Sequence, residues 1–130
     1  MDQPKRGGLL LRTDDGLRFL PASLVTSLAR LPPILRVAGA PEGVLGIVHE
    51  NGEIMPVVAI GPERSVLMVC SYLGEPIGLV GAQIVRAGLF EPDPTTPEAL
   101  MYEGELARPF DLSAIYTRLQ TSTWASGWTS

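Results

Sequence analysis

Apolar residues along this chain come in short runs, broken at close intervals by Gly, Pro, Asn and Asp. Runs too short for helices and bounded by turn residues predict strands. Leu9-Leu10-Leu11-Arg12 and Leu17-Arg18-Phe19-Leu20 flank Thr13-Asp14-Asp15-Gly16, whose Asp-Gly pair suits a tight reversal. Val44-Leu45-Gly46-Ile47-Val48 and residues 54–60 flank Asn51-Gly52, the strongest hairpin signal in the chain. Residues 66–71 and 76–80 pair around Tyr72-Leu73-Gly74-Glu75, and residues 83–90 add a strand through Ile84, Val85 and Leu89. Leu100-Met101-Tyr102 and residues 106–110 flank Glu103-Gly104-Glu105 as a last hairpin. Pro56 lacks the N–H that a ladder needs, which places its strand at an edge or a bend.

Two stretches read less simply. Residues 21–28 fit either a short helix with Pro21 near its start, or a turn followed by a strand that carries Val25 and Leu28 inward. Residues 31–34 must be extended, because the ring of Pro33 disfavours helix in the residue before it. Glu91-Pro92-Asp93-Pro94-Thr95-Thr96-Pro97 is a loop by composition, and Asp111 is placed to cap a helix running through Ile115 to Leu119. Eight to ten short strands and one carboxy-terminal helix predict a mainly β protein built from small barrels. The expected organisation is a flexible amino terminus over 1–8, a folded unit over 9–119 and a flexible tail over 120–130. Trp124 and Trp128 stand four apart in that tail, as a packing contact or a partner-recognition motif.

Composition narrows the classes. At 130 residues the chain holds one domain, or two subdomains sharing a core, and with 45% hydrophobic and 18% charged residues it buries a real interior. A net charge of -4, with Arg scattered from Arg6 to Arg118, gives no footprint for a nucleic-acid backbone. One cysteine, Cys70, sits in an apolar run and is expected to be a buried, inert thiol. Neither a signal core nor a membrane-length apolar run is visible, so a cytoplasmic location without membrane insertion is expected.

Candidate chemistry is sparse. His49 and Glu50 stand near the tip of the Asn-Gly hairpin, where a base or metal ligand can be displayed, yet neighbours on a strand point to opposite faces. Asp14 and Asp15 form an adjacent carboxylate pair, a spacing that serves a turn better than acid and base converging on one substrate. The serines lack a nucleophile elbow, and the glycines match no phosphate-cradling loop. No catalytic residue, metal site or cofactor is expected. A small ligand-binding barrel using His49 and Glu50 at a pocket mouth is the alternative from a different class.

The run over residues 40–60, Ala-Pro-Glu-Gly-Val-Leu-Gly-Ile-Val-His-Glu-Asn-Gly-Glu-Ile-Met-Pro-Val-Val-Ala-Ile, resembles the signature of the CheW-like domain, the coupling module of bacterial chemotaxis. Leu9 to Leu11 and residues 17–28 resemble that family's opening segment. Residues 66–69, Gly78-Leu79-Val80-Gly81-Ala82-Gln83-Ile84 and Pro109-Phe110-Asp111-Leu112 resemble its second half. The likeness spans about residues 9–119. It implies two intertwined five-stranded SH3-like barrels with no catalytic centre and no cofactor. Its implied partners are the cytoplasmic tip of a chemoreceptor and the regulatory domain of a CheA-type histidine kinase, or another CheW-like protein, with recruitment to receptor arrays at the inner membrane. The implied partner-binding positions are Val25, Ser27, Ile34 and Asn51, with His49 and Glu50 beside them.

Departures from the pattern accompany the match. The family's Asn-Leu-Arg-Gly stands here as His49-Glu50-Asn51-Gly52, and the aspartates expected near Ala59 and Ala82 are missing. Joint loss of an arginine and two acids suggests an ion-pair network given up as a unit, an idea that requires Asn51, Ala59 and Ala82 to lie together. A divergent accessory adaptor, or an inhibitor that binds only one partner, is the reading these changes favour.

Overall fold

The apolar runs of the computed structural model form ten strands and one α-helix among the described residues, 5–96 and 98–121. In chain order the strands are β1 (Arg6–Thr13), β2 (Gly16–Pro21), β3 (Val25–Arg30), β4 (Val44–Glu50), β5 (Glu53–Ala59), β6 (Val66–Tyr72), β7 (Glu75–Val80), β8 (Gln83–Phe90), β9 (Leu100–Tyr102) and β10 (Glu105–Pro109), and the helix is α1 (Leu112–Thr121). They make two five-stranded sheets, ordered β8-β1-β2-β10-β9 and β3-β6-β7-β5-β4. The chain leaves the first sheet after β2, completes the second, and returns for β8 to β10, so the two subdomains are intertwined as expected.

Two-sided burial explains the near-continuous apolar runs. Leu10 faces the interior of the first barrel with Leu17, Phe19, Phe90, Leu100 and Ala107. Its neighbours Leu9 and Leu11 face the opposite way, into a core shared by both sheets and the helix. In β6, Leu67 and Val69 fill the second barrel while Met68 and Cys70 join the shared core. Burial pushes the Cys70 thiol up to about 12, which keeps it protonated and unreactive.

Hairpin turns follow the residue chemistry. Asn51 (φ 52°) and Gly52 (φ 80°) take the two left-handed positions of a tight turn between β4 and β5. Leu73-Gly74 and Glu103-Gly104 adopt the same pair of conformations.

Several expectations change. β1 begins at Arg6, and residues 6–8 pair with β8, so the folded unit starts before residue 9. Both readings of residues 21–28 are realised in part, as a 3₁₀ turn over Ala22–Leu24 followed by β3. Leu28 does not point inward. Val25 and Leu28 stand three apart, and the burial of β3 alternates without a break, half-buried at Val25, Ser27 and Ala29, so Leu28 is 48% exposed. Nor is the strand of Pro56 an edge, because β5 lies between β7 and β4. Ile47, opposite Pro56, spends its own N–H and C=O on Leu35, so this is a non-hydrogen-bonded pair and the proline nitrogen faces β7. The parallel ladder with β7 starts one residue later, at Val57 with Gly78, so no ladder donor is missing at Pro56. Helix α1 extends past Leu119 to Thr121, and the tail with Trp124 and Trp128 lies outside the described residues.

Asp111 caps α1 as its sequence position suggests. Its Oδ1 accepts from the Ala114 N–H at 3.0 Å and from the Ser113 hydroxyl at 2.6 Å. These bonds, the Ser113 hydroxyl foremost, hold the carboxyl below its ordinary range. A depressed folded-state value contributes stability above the unfolded value and loses it as pH falls through the folded one. Asp111→Ala is therefore expected to cost about 1 kcal/mol near neutral pH. Urea titrations should show that difference shrink as pH falls through the folded-state value, where the carboxyl takes up its proton.

Candidate functional site

The two barrels meet over the shared core, and beside that contact a cleft of about 710 Å³ opens to solvent. One wall is the β1–β2 turn with Asp14 and Asp15, plus Arg18 of β2; a second is Glu42 and Gly43 with the end of β5; the third runs from Asp111 along α1 to Arg118 in its last turn. Four carboxylates and two guanidiniums line it. Backbone bonds fix its shape: the Asp14 N–H donates to the Ile60 carbonyl at 3.1 Å, joining the first-sheet turn to the second sheet, and the Ala59 N–H donates to Gly43 at 2.8 Å. Asp111 spends its carboxylate as the helix cap, and at the β1–β2 turn it is the Asp15 backbone N–H that donates to Thr13 Oγ1.

Behind this turn lies a second, smaller cleft lined by Arg12, Glu63, Gly81 and Gln83 among others. Across the first sheet, Arg12 grips Glu105 through two bonds of 3.1 and 3.2 Å, and the pair raises the Arg12 value while lowering that of Glu105. Both partners are about half exposed, so the pair fixes strand ends more than it stabilises the fold.

Of the residues singled out in the sequence, His49, Glu50 and Asn51 sit together at the β4–β5 tip. His49 is exposed opposite Ile54, itself 50% exposed, and Glu50 faces Glu53 across the turn. Neither cleft described above is lined by His49 or Glu50. Ile34 packs against the interior of the second barrel, where Gly46 admits it: a Cβ on Gly46 would lie 2.8 Å from Ile34 Cγ2 and overlap the Leu35 carbonyl. That close approach lets residue 35 pair with Ile47. Val25 and Ser27 lie on β3, at the other end of the sheet order from β4. The structure thus brings three of the six positions to one tip and spreads the others.

The idea of a lost shared network fails. Ala59 pairs with Val80, two residues before Ala82, but Asn51 lies beyond the opposite end of β5. Glu53 and Ala59 stand six positions apart on β5, about 20 Å at strand rise. Whatever the arginine and aspartates do in other chains, here their positions do not share one cluster.

Exposed apolar side chains supply what sequence reasoning missed. Leu73 at the β6–β7 tip is 74% exposed, Leu89 on the edge strand β8 is 70%, and Leu35 is 67%. Leu73 also holds φ 51°, where a leucine costs about 1 kcal/mol. The legible signal was Leu73-Gly74 in a turn that Asn-Gly fills elsewhere in the same chain.

No family model and no curated protein matches the sequence. Among solved structures, the scaffolding protein TtCheW from Thermoanaerobacter tengcongensis superposes with a TM-score of 0.60 at 20% sequence identity, over 81% of this chain and 87% of that one. The fold is that of the CheW-like domain. Two five-stranded sheets with one short carboxy-terminal helix fit it, and the spacing read over residues 40–60 lands on β4, the Asn-Gly turn and β5.

Proposed function

We propose that this chain is a non-catalytic adaptor of the CheW-like type. It holds the cytoplasmic tip of a chemoreceptor to the regulatory domain of a CheA-type histidine kinase, or to another CheW-like protein, in a chemosensory or motility pathway. The carrying observation is the intertwined two-barrel fold shared with a scaffolding protein over 81% of the chain. Solvent-facing apolar side chains on strands and turns agree with a protein that works by contact. So does a cleft in which Asp111 is spent as the helix cap. No helix among the described residues is long and apolar enough to cross a membrane, so recruitment to a receptor array would come through the receptor.

Partner contacts are assigned to the β4–β5 tip, His49, Glu50 and Asn51, with Val25, Ser27 and Ile34 contributing from β3 and the following segment. Pull-down with a receptor tip fragment and with the kinase regulatory domain tests the assignment; retention of both supports coupling, and binding to neither removes it. One observation favours a narrower role: the tip carries Glu50 and Asn51 where the family signature has an apolar residue and an arginine. Such a tip suits a competitor that occupies one partner without coupling two. Kinase output in a reconstituted array separates the cases, because a coupler raises it and a competitor lowers it. Asn51→Arg restores a five-donor fork and is expected to tighten binding about tenfold, measured by calorimetry.

A further inference from the structure

Like charges set directly opposite each other on a sheet cost stability, and the first sheet carries such a pair. Arg18 of β2 and Arg108 of β10 are register partners across a parallel ladder. Their side chains therefore leave the same face from strands about 4.8 Å apart. That face is the outer one, because their sequence neighbours Leu17, Phe19 and Ala107 fill the first barrel. The acids of the chain do not neutralise the pair. Arg18 spends one N–H on the Leu17 carbonyl at 2.9 Å, and exposed Arg108 has no hydrogen bond or ion pair among the described residues. With 14 acidic residues against 10 basic ones, composition does not force two guanidiniums to stand side by side without a carboxylate.

Apolar surface adjoins them on the same face. Leu106 stands two positions before Arg108 and is half-buried, and its register partner Met101 is 42% exposed on β9, which ends the sheet. Methionine there adapts to the shape of whatever packs on it. Guanidiniums about 7 Å along a strand from an apolar pair match an extended segment whose carboxylate and apolar side chain stand two positions apart, since such residues share a face at the same spacing. Charge decides against a polyanion. A net charge of -4, with Asp14, Asp15 and Glu42 on the cleft that Arg18 also lines, repels a nucleic-acid backbone or an anionic bilayer, whereas a single carboxylate fits between two guanidinium forks.

We propose that the outer face of β2, β10 and β9 is a docking surface for an acidic segment of a partner protein, its carboxylate held between Arg18 and Arg108 and a neighbouring apolar side chain seated on Leu106 and Met101. This surface lies on the first sheet and the β4–β5 tip on the second, so the inference is independent of the contacts assigned above.

NMR titration of the full chain tests it, with an end-capped synthetic peptide of core Glu-Ser-Leu and the same peptide carrying Gln in place of Glu. The glutamate peptide should shift the Arg108 and Leu106 amides and the Met101 methyl together, and the glutamine peptide should bind roughly tenfold more weakly. Arg108→Gln should abolish the shifts while leaving the urea midpoint unchanged or higher, since it removes a like-charge neighbour. Absence of shifts at these residues with the glutamate peptide overturns the proposal. So does a lower midpoint in Arg108→Gln, which would assign the guanidinium to the fold. Inorganic phosphate is the remaining arm: if it reproduces the Arg108 shift and the peptide leaves the Met101 methyl unmoved, the face takes an adventitious ion only and the proposal fails.

Discussion

Gly81→Ala is expected to leave the protein largely unfolded, or to remove at least ~3 kcal/mol of stability, because two backbone segments cross at that residue with no room for a methyl group. A Cβ on Gly81 would overlap the backbone of Gly61, and one on Gly61 would overlap the carbonyl of Gly81. Neither obstacle is a side chain that can swing aside. Gly81 also sits at φ 109°, a conformation an L residue resists, so backbone strain adds to the overlap. Around the crossing the ladder is continuous: the Ile60 N–H donates to Val80 at 2.8 Å, and the Ile60 carbonyl accepts from Asp14. Separating the glycines would pull β5 from β7 and both from the first sheet. Gly104→Ala is the matched control. Gly104 has φ 80° but nothing within 4 Å of a built Cβ, so it carries strain without overlap and should cost about 1 kcal/mol. Urea unfolding of the two variants side by side separates the effects, and equal losses would show that the crossing is not tight.

Local chemistry was legible in the sequence where one turn or one cap decides it. Asn51-Gly52 and Asp111 are read from adjacent residues because the left-handed turn and the orphan N–H groups of a helix start are satisfied within a few positions. Leu28 and Pro56 were misplaced for a different reason. Inward and outward faces blur when a strand is buried on both sides, so the alternation that normally orients a side chain is absent from β5 and β6. On β3 the burial alternates regularly and places Leu28, three residues from Val25, on the exposed set, while the order of strands within the sheet, invisible in sequence, makes β5 internal. The candidate site divides the same way. His49, Glu50 and Asn51 are adjacent in sequence and in space, whereas the cleft joins Asp14, Glu42 and Asp111 from three distant segments, each of which reads alone as an ordinary turn or cap residue.

Interleaving has a thermodynamic consequence that a cavity in the first barrel should expose. Phe19 is fully buried, with Phe90 edge-on at 6.1 Å and the Arg6 guanidinium 4.9 Å from its ring centre. Its carbonyl receives the Phe110 N–H at 2.8 Å, which fixes the approach to α1. Phe19→Ala is expected to cost about 3–5 kcal/mol through lost burial and the cavity left behind. None of the atoms removed belongs to the second barrel, so two independent barrels would leave the second untouched. The chain argues otherwise. Strand β2 carries Phe19 into the first barrel and Leu20 into the shared core, while β1 does the same with Leu10 and its neighbours. That shared core also holds Val58, Met68 and Leu79 of the second sheet, and the whole second sheet lies in sequence between β2 and β8. Losing β2 therefore strips one wall from the core that the second barrel packs on, and the two should open as one cooperative unit. Native-state hydrogen exchange decides this: in Phe19→Ala, the slowest amides of β5 and β6 should lose protection by the same amount as those of β1 and β2. Undiminished protection in β5 and β6 would mean that the barrels unfold separately, despite the path of the chain.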